Sequence, residues 1–247
     1  MKRGLLMASA ALVLAAGSIG MAGAAPTSGG SQKGTNASAV PGTPVSATGG
    51  VSGFNAAMEI AEVGRQQKDP LILVAAARAV LAIGSTPGED AAKEGAADKA
   101  KPAATTTGPA TKVAGASKPL VDRLLADATT YARGDQAMLG YIRETEAGAG
   151  RGTTAGPHRH NVELRAGRYI DYTERFVGGQ LAEAAVVGDG DTDVDVAIYD
   201  QNGNRVCAST RGGDREYCSW TPAWTGNFTV RVTNYGRVYN NLALLVN

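Results

Sequence analysis

Two histidines and two cysteines are all the imidazole and thiol that 247 residues contain. A serine nucleophile would therefore have to take its base from His158 or His160, which sit two apart in GPHRHN. No HExxH, GxSxG or triad context accompanies them, so the hydrolase signatures that carry a mechanism are missing and the reading is non-enzymatic. The chain also lacks a charge of one sign. A net charge of +1 gives no electrostatic case for nucleic acid, and no RNP-like or helix-turn-helix pattern adds one. Beyond the first residues it lacks a long apolar run. Leu71–Ile83 is interrupted by Arg78 and falls short of the roughly 20 residues that span a bilayer, so no stable membrane span is expected once the leader is removed. From residue 161 to the end lysine is missing altogether, and the eight arginines there are outnumbered by eleven carboxylates.

What is present begins with an export signal. Lys2 and Arg3 precede an apolar stretch from Leu5 to about Ala16, and Ala22-Gly23-Ala24 matches a small-residue cleavage site, which places the mature start at Ala25. The expected location is the periplasm or the exterior of a bacterial cell. In such an oxidising compartment an even cysteine count favours a bridge between Cys207 and Cys218, which would close a short loop between two strands.

Composition then divides the chain. Residues 25–51 are rich in Gly, Ser, Thr, Pro and Ala and are expected to form a disordered leader, and residues 87–117 and 149–159 read as low-complexity linkers. Between them lie two helical hairpins, over 52–86 and 118–148. In the first, Phe54, Met58 and Ala61 share a helical face, and Asp69-Pro70 is a cap followed by a residue suited to the first helical turn. In the second, Leu120, Leu124, Ala128 and Tyr131 form a stripe that Met138 and Ile142 continue, and Gly134-Asp135 is a stop and restart. One hairpin rarely buries its own apolar face, so the two are expected to pack together.

Residues 160–247 change period from helix to strand. Eight short strands with Gly, Asn and Asp turns predict an antiparallel sandwich. The clearest is Val194–Asp200, where Val194, Val196 and Ile198 alternate with Asp195, Ala197 and Tyr199. Asn202-Gly203 after it predicts a hairpin with a type I′ turn, which needs positive φ at both central residues. The fold class expected is thus α+β: helical hairpins, disordered linkers and a C-terminal antiparallel β-sandwich of jelly-roll type.

The strand DTDVDVAIYD with its DQNGN turn, together with WTGNFTVRVTNYG, in which Gly226 precedes the alternating Phe228, Val230 and Val232, resembles the bacterial pre-peptidase C-terminal (PPC) domain family. That family is a compact sandwich appended to many secreted proteins. The resemblance implies an adhesive or secretion-related role, with calcium or extracellular polymers as ligands of some members. It brings no catalytic residue, and no peptidase signature stands N-terminal to it in this sequence.

Three groups of residues are site candidates. Asp189, Asp191 and Asp193 are oxygen ligands of the kind calcium prefers, although Val194 and Asp200 occupy positions where an EF-hand loop needs Gly and Glu. A solvated acidic turn that discourages edge pairing explains the same run. Trp220, Trp224 and Tyr217 could form an aromatic platform for sugars, and core packing of the tryptophans is the alternative; Tyr235 and Tyr239 flank a turn and read either way. His158 and His160 could present both rings to one metal on a strand, or could be a polar strand entry. Arg211, Arg215, Arg231 and Arg237 read as partners of nearby acids. Taken together, the sequence points to an exported binding or scaffold protein of the cell envelope whose partner is an envelope protein. A carbohydrate-binding module is the second reading, and a hydrolase with an unseen site the third.

Overall fold

In the computed structural model, residues 33–44, 50–88, 92–97, 119–148 and 156–247 are described. The signal assigned to residues 1–24, the start of the leader and most of the 87–117 and 149–159 linkers lie outside them. The elements run α1 (Gly50–Gln67), α2 (Pro70–Ile83), β1 (Thr86–Pro87), β2 (Ala92–Ala96), α3 (Leu120–Ala132), α4 (Gln136–Gly148), β3 (His158–Leu164), β4 (Arg168–Phe176), β5 (Ala182–Val187), β6 (Val194–Tyr199), β7 (Arg205–Ser209), β8 (Arg215–Trp220), β9 (Gly226–Asn234) and β10 (Asn240–Val246). No helix among the described residues is long and apolar enough to cross a membrane.

Local chemistry sets the helices. The Asp69 carboxylate accepts the N–H groups of Leu71 at 2.8 Å and Ile72 at 3.2 Å, with Pro70 in the first turn. Asp135 does the same for α4, taking Ala137 N–H at 2.9 Å and Met138 N–H at 3.1 Å. Arg133 and Gly134 both take positive φ between α3 and α4, which turns the chain back as the Gly-Asp pair implied.

β3 to β10 form two sheets, β3-β10-β5-β8 and β4-β9-β6-β7, all antiparallel. Apart from the β6–β7 hairpin, consecutive strands alternate between sheets, in the order of an eight-stranded jelly roll. Alternation at period two buries Val194, Val196 and Ile198 of β6 against Leu242, Leu244 and Val246 of β10. Every residue of β5 is buried. Ala182, Ala184 and Val186 face the sandwich interior, while Ala185 and Val187, with Ala243 and Leu245 of β10, belong to a second core that takes in residues of all four helices. The helices therefore roof one sheet and make a third layer. A sheet buried on both faces loses the alternation that marks a half-exposed strand, so LAEAAVV gave no sign of its roof. Arg65 Nε to Asp127 Oδ2 at 2.9 Å ties α1 to α3 within it.

The structure corrects three expectations. Part of the 87–117 linker is strand: β2 adds to β4 antiparallel, and Thr86–Pro87 pairs with β3 in parallel, so each sheet has five strands. Backbone pairing to a free edge needs no side-chain pattern, which is why AKEGA read as linker. The leader is ordered over Lys33–Pro44. Asn36 is fully buried, Ser38 N–H donates to Thr221 O at 2.7 Å, and Leu181 N–H donates to Thr43 O at 2.8 Å. The third correction concerns the β6–β7 hairpin. Gly203 N–H donates to Asp200 O at 3.0 Å, and Gly203 alone carries positive φ, at 80°. This is a type I turn over Gln201-Asn202 followed by a bulge residue, not a type I′ turn. The Asp200 carboxylate dictates it by accepting the N–H groups of Asn202 and Asn204, each at 2.9 Å.

Cys207 and Cys218 are bridged, and because β7 and β8 belong to different sheets the bond ties the layers together. Closing a loop with a sequence separation of 11 restricts the unfolded chain by about 2–3 kcal/mol. Urea denaturation of the reduced, alkylated protein is expected to show a loss of that size against the oxidised form; coincident curves would mean that the bridge leaves stability unchanged.

Candidate functional site

A cavity of about 630 Å³ lies where the start of α3 overhangs the outward face of β3 and β10. Pro119, Leu120 and Arg123 form its roof, and Arg159, Asn161 and Glu163 of β3 with Asn241 and Ala243 of β10 its floor. Register fixes the floor. Arg159 pairs with Leu245, Asn161 with Ala243 and Glu163 with Asn241. The arginine and the glutamate thus stand four residues apart on one face, about 13 Å along the strand, with the small Ala243 side chain between them.

Two guanidinium groups dominate this cavity. Arg123 Nη1 donates to Gly188 O at 2.9 Å, while its Nε is buried with no hydrogen-bond partner. Arg159 Nε donates to Asn161 Oδ1 at 3.1 Å. Burial pulls both groups below the ordinary arginine range. For Arg159 the Arg123 charge adds to that effect, and for Arg123 the charges of Asp189 and Asp214 oppose it. Both arginines stay protonated at any ordinary pH. Neither belongs to the site residues read from the sequence. The signal lay in GPHRHN, where alternation sends Arg159 to the face opposite the two histidines that drew attention.

The histidines do something else. His160 is buried, its Nε2 pairs with Glu174 Oε1 at 2.8 Å, and its ring lies on Tyr172 with centroids 4.2 Å apart. His158 Nδ1 reaches the other oxygen of Glu174 at 3.3 Å. Since β3 and β4 belong to different sheets, the three side chains clamp the two layers together where these strands face each other. Burial opposes the Glu174 charge, but hydrogen bonds to His160 and then His158 outweigh it and hold the carboxyl below its ordinary range.

The aspartates are brought beside a loop the sequence reading did not identify. Asp189 Oδ2 accepts the backbone N–H of Asn241 at 3.1 Å and its side-chain amide at 3.0 Å. Asp193 Oδ1 accepts Gly213 N–H at 2.9 Å. Asp214 comes from the β7–β8 loop to accept Gly190 N–H and the Asn240 amide. Burial is the chief cause that pushes the Asp214 carboxyl up to about 7, and Asp189 and Asp191 add to it against those two hydrogen bonds. Among the described residues no three His, Cys, Asp or Glu side chains are arranged to hold a metal ion. Asp189 and Asp193 each bond backbone or amide donors through one carboxylate oxygen.

The aromatic platform is not assembled. Trp220 is 6% exposed and turns into the sandwich, its ring edge-on to Phe176 with centroids 4.8 Å apart. Tyr217 stands on the other face of β8, packed under the helices, and donates to Glu183 Oε1 at 2.6 Å. An odd separation of three along a strand must divide the two residues between faces. Trp224 is half-buried, and its backbone N–H donates to Asn36 Oδ1 at 2.9 Å. Tyr235 and Tyr239 are half-buried. Arg231 forms a bidentate pair with Asp171, at 2.7 and 2.8 Å, beneath the Tyr169 ring, and Arg215 reaches Glu59 of α1 at 3.5 Å.

No protein-family model matches the chain, and no curated protein matches it. Among solved structures the chain is similar to the pre-peptidase C-terminal domain of a collagenase from Bacillus anthracis, at 14% identity and a TM-score of 0.33 over 37% of this chain and 89% of that one. It is also similar to PliG of Aeromonas hydrophila, a periplasmic inhibitor of g-type lysozyme, at 12% identity and a TM-score of 0.26 over 37% and 85% of the two chains. A third structure, TmCBM61 in complex with β-1,4-galactotriose, matches at 14% identity and a TM-score of 0.23 over 35% of this chain and 64% of that one. The likeness to the PPC domain is one of fold and covers 37% of this chain.

Proposed function

We propose that this chain is an exported, non-catalytic binding protein of the bacterial cell envelope, and that the cavity between α3 and the β3–β10 face is its site. The observation that carries the reading is the composition of that cavity. It is lined by two arginines, one glutamate, two asparagines, a serine and apolar side chains, with neither histidine among its lining residues. The two imidazoles, the bases a nucleophile would need, are engaged by Glu174 between β3 and β4. The paired cysteines support export, since a bridge of this kind persists in oxidising compartments. An envelope protein is the favoured partner. A glycan is the second, although the Trp220–Tyr217 platform no longer speaks for it.

The test is capture from the organism's own envelope extract by full-length mature protein, residues 25–247, run with calcium and with chelator. One protein partner is expected, bound by the wild type and lost with Arg159→Glu. Recovery of glycan alone would favour the second reading. Partner capture that is indifferent to Arg159→Glu would remove the cavity from the proposal.

A further inference from the structure

Two guanidinium charges share the cavity, and the acids that offset the charge of Arg123 do so at a distance. Among the described residues neither Arg123 nor Arg159 has a carboxylate at ion-pair distance. The acids in the field of Arg123 make their hydrogen bonds to other groups: Asp189 Oδ2 to Asn241, Asp214 to Gly190 and Asn240, and Asp127 to Arg65. Arg123 retains its buried, unpartnered Nε, and Arg159 uses only Nε, on Asn161. Among the described residues, most of the ten N–H donors of the two guanidinium groups have no protein acceptor, and the Nε of Arg123 is buried without one. Two like charges held half-buried in one cavity repel, and an anion between them relieves the repulsion.

We propose that the cavity binds a phosphate-class oxyanion between the guanidinium groups of Arg123 and Arg159. This rests on the reading of the chain as a binding protein with the cavity as its site. The stoichiometry of donors favours a tetrahedral anion over a carboxylate, because one guanidinium fork already fills a carboxylate, whereas a phosphate presents oxygens to two. The start of α3 adds to the same end. Pro119 and Leu120 line the cavity, and Pro119 supplies no side-chain cap to the first-turn N–H groups, whose dipole favours negative charge. A volume of about 630 Å³ greatly exceeds an inorganic ion, so the anion is the head of a larger ligand. Glu163 stands on the same face as Arg159 but about 13 Å away, which keeps the anionic head at the Arg159 end.

The full chain is titrated with inorganic phosphate at fixed ionic strength while the arginine Nε–H NMR signals are followed. Saturable shifts of Arg123 and Arg159 are expected, with acetate binding more weakly. Arg159→Gln is expected to weaken phosphate roughly ten- to a hundred-fold, the usual effect of losing a charge-assisted pair. Phenyl phosphate is the probe for an ester head: binding at least as tight as phosphate supports an ester ligand, and binding of inorganic phosphate alone places the free anion in the site. Arg123 also holds Gly188, so Arg159→Lys is the control for folding. It keeps the charge, loses the fork, and is expected to fall between wild type and Arg159→Gln. No saturable shift, or equal affinity in Arg159→Gln, overturns the proposal. A neutral oligosaccharide that moves the two arginine signals where phosphate does not overturns the anion while leaving the cavity as a binding site.

Discussion

Trp220→Ala is expected to destabilise the fold by about 3–5 kcal/mol, the largest effect of any single substitution considered. Trp220 closes an aromatic cluster inside the sandwich: Phe176 stands edge-on at 4.8 Å, Phe228 lies at 5.7 Å, and Phe176 and Phe228 are themselves 5.7 Å apart. Removing the indole leaves a void between two sheets that the Cys207–Cys218 bridge keeps from collapsing. The indole Nε1 has no acceptor among the described residues. Trp220→Phe therefore removes a buried donor as well as some volume, and is expected to cost well under half as much. Urea denaturation of the two variants decides the matter, with Trp224→Ala as the half-buried comparison, expected at about 1 kcal/mol. A Trp220→Ala protein as stable as wild type, but altered in glycan binding, would restore the platform that the geometry denies.

Asp200→Ala is expected to cost about 3 kcal/mol, since several N–H donors lose one acceptor in a place water scarcely reaches. Asp200 is 3% exposed. Its Oδ2 accepts Asn36 N–H at 2.8 Å and the Asn204 amide at 3.0 Å, and its Oδ1 accepts the N–H groups of Asn202 and Asn204. Burial opposes the charge on this carboxyl, but those four bonds outweigh it and hold it below its ordinary range. A depressed folded value means that the stabilisation is present above the unfolded value near 3.9 and is lost as pH falls through the folded one. Wild-type stability should therefore drop on acidification below about pH 4, and less steeply in Asp200→Asn. Glu174 is depressed in the same sense and contributes to the wild-type slope, so the comparison must be made between variants. Hydrogen exchange supplies the second readout. Residues 34–43 are held by Asp200, Thr221 and Gly179, and their protection should fall in Asp200→Ala. Unchanged protection would mean that the strap is anchored elsewhere.

That strap shows where sequence reasoning reached its limit. Lys33–Pro44 has the composition of a segment that cannot bury enough apolar surface to order itself, and on its own it would not. Its order comes from polar partners on loops more than 130 residues away. Asn36 alone donates to Asp200, Gln201 and Trp224 and accepts from Trp224. A composition rule counts only what a segment can bury by itself. It has no access to donors and acceptors supplied by another part of the chain.

The cavity was hidden for a related reason. Arg123 lies on an amphipathic helix and Arg159 on a strand, and each is locally indistinguishable from a solvated cation. Only the docking of α3 on the outer face of β3 and β10 makes them a pair. The two histidines, read as a metal pair or a strand entry, needed Glu174 of the facing sheet to acquire their role as a clamp.

The sequence alone determined whatever depends on neighbours within a few residues: the Asp69 and Asp135 caps, the α4 restart, the period-two strands and hence the sandwich, and the pairing of two lone cysteines. Hydrogen-bonded turns and amphipathic faces are short-range, and one chain records them completely. Tertiary structure decided the rest: the helical roof on β5 and β10, the edge strands β1 and β2, the inward turn of Trp220 away from Tyr217, and the meeting of Arg123 with Arg159. Each of these depends on a partner distant in sequence, and the free energy that selects it, whether apolar burial, an open sheet edge or an unmatched charge, arises only when the layers come together.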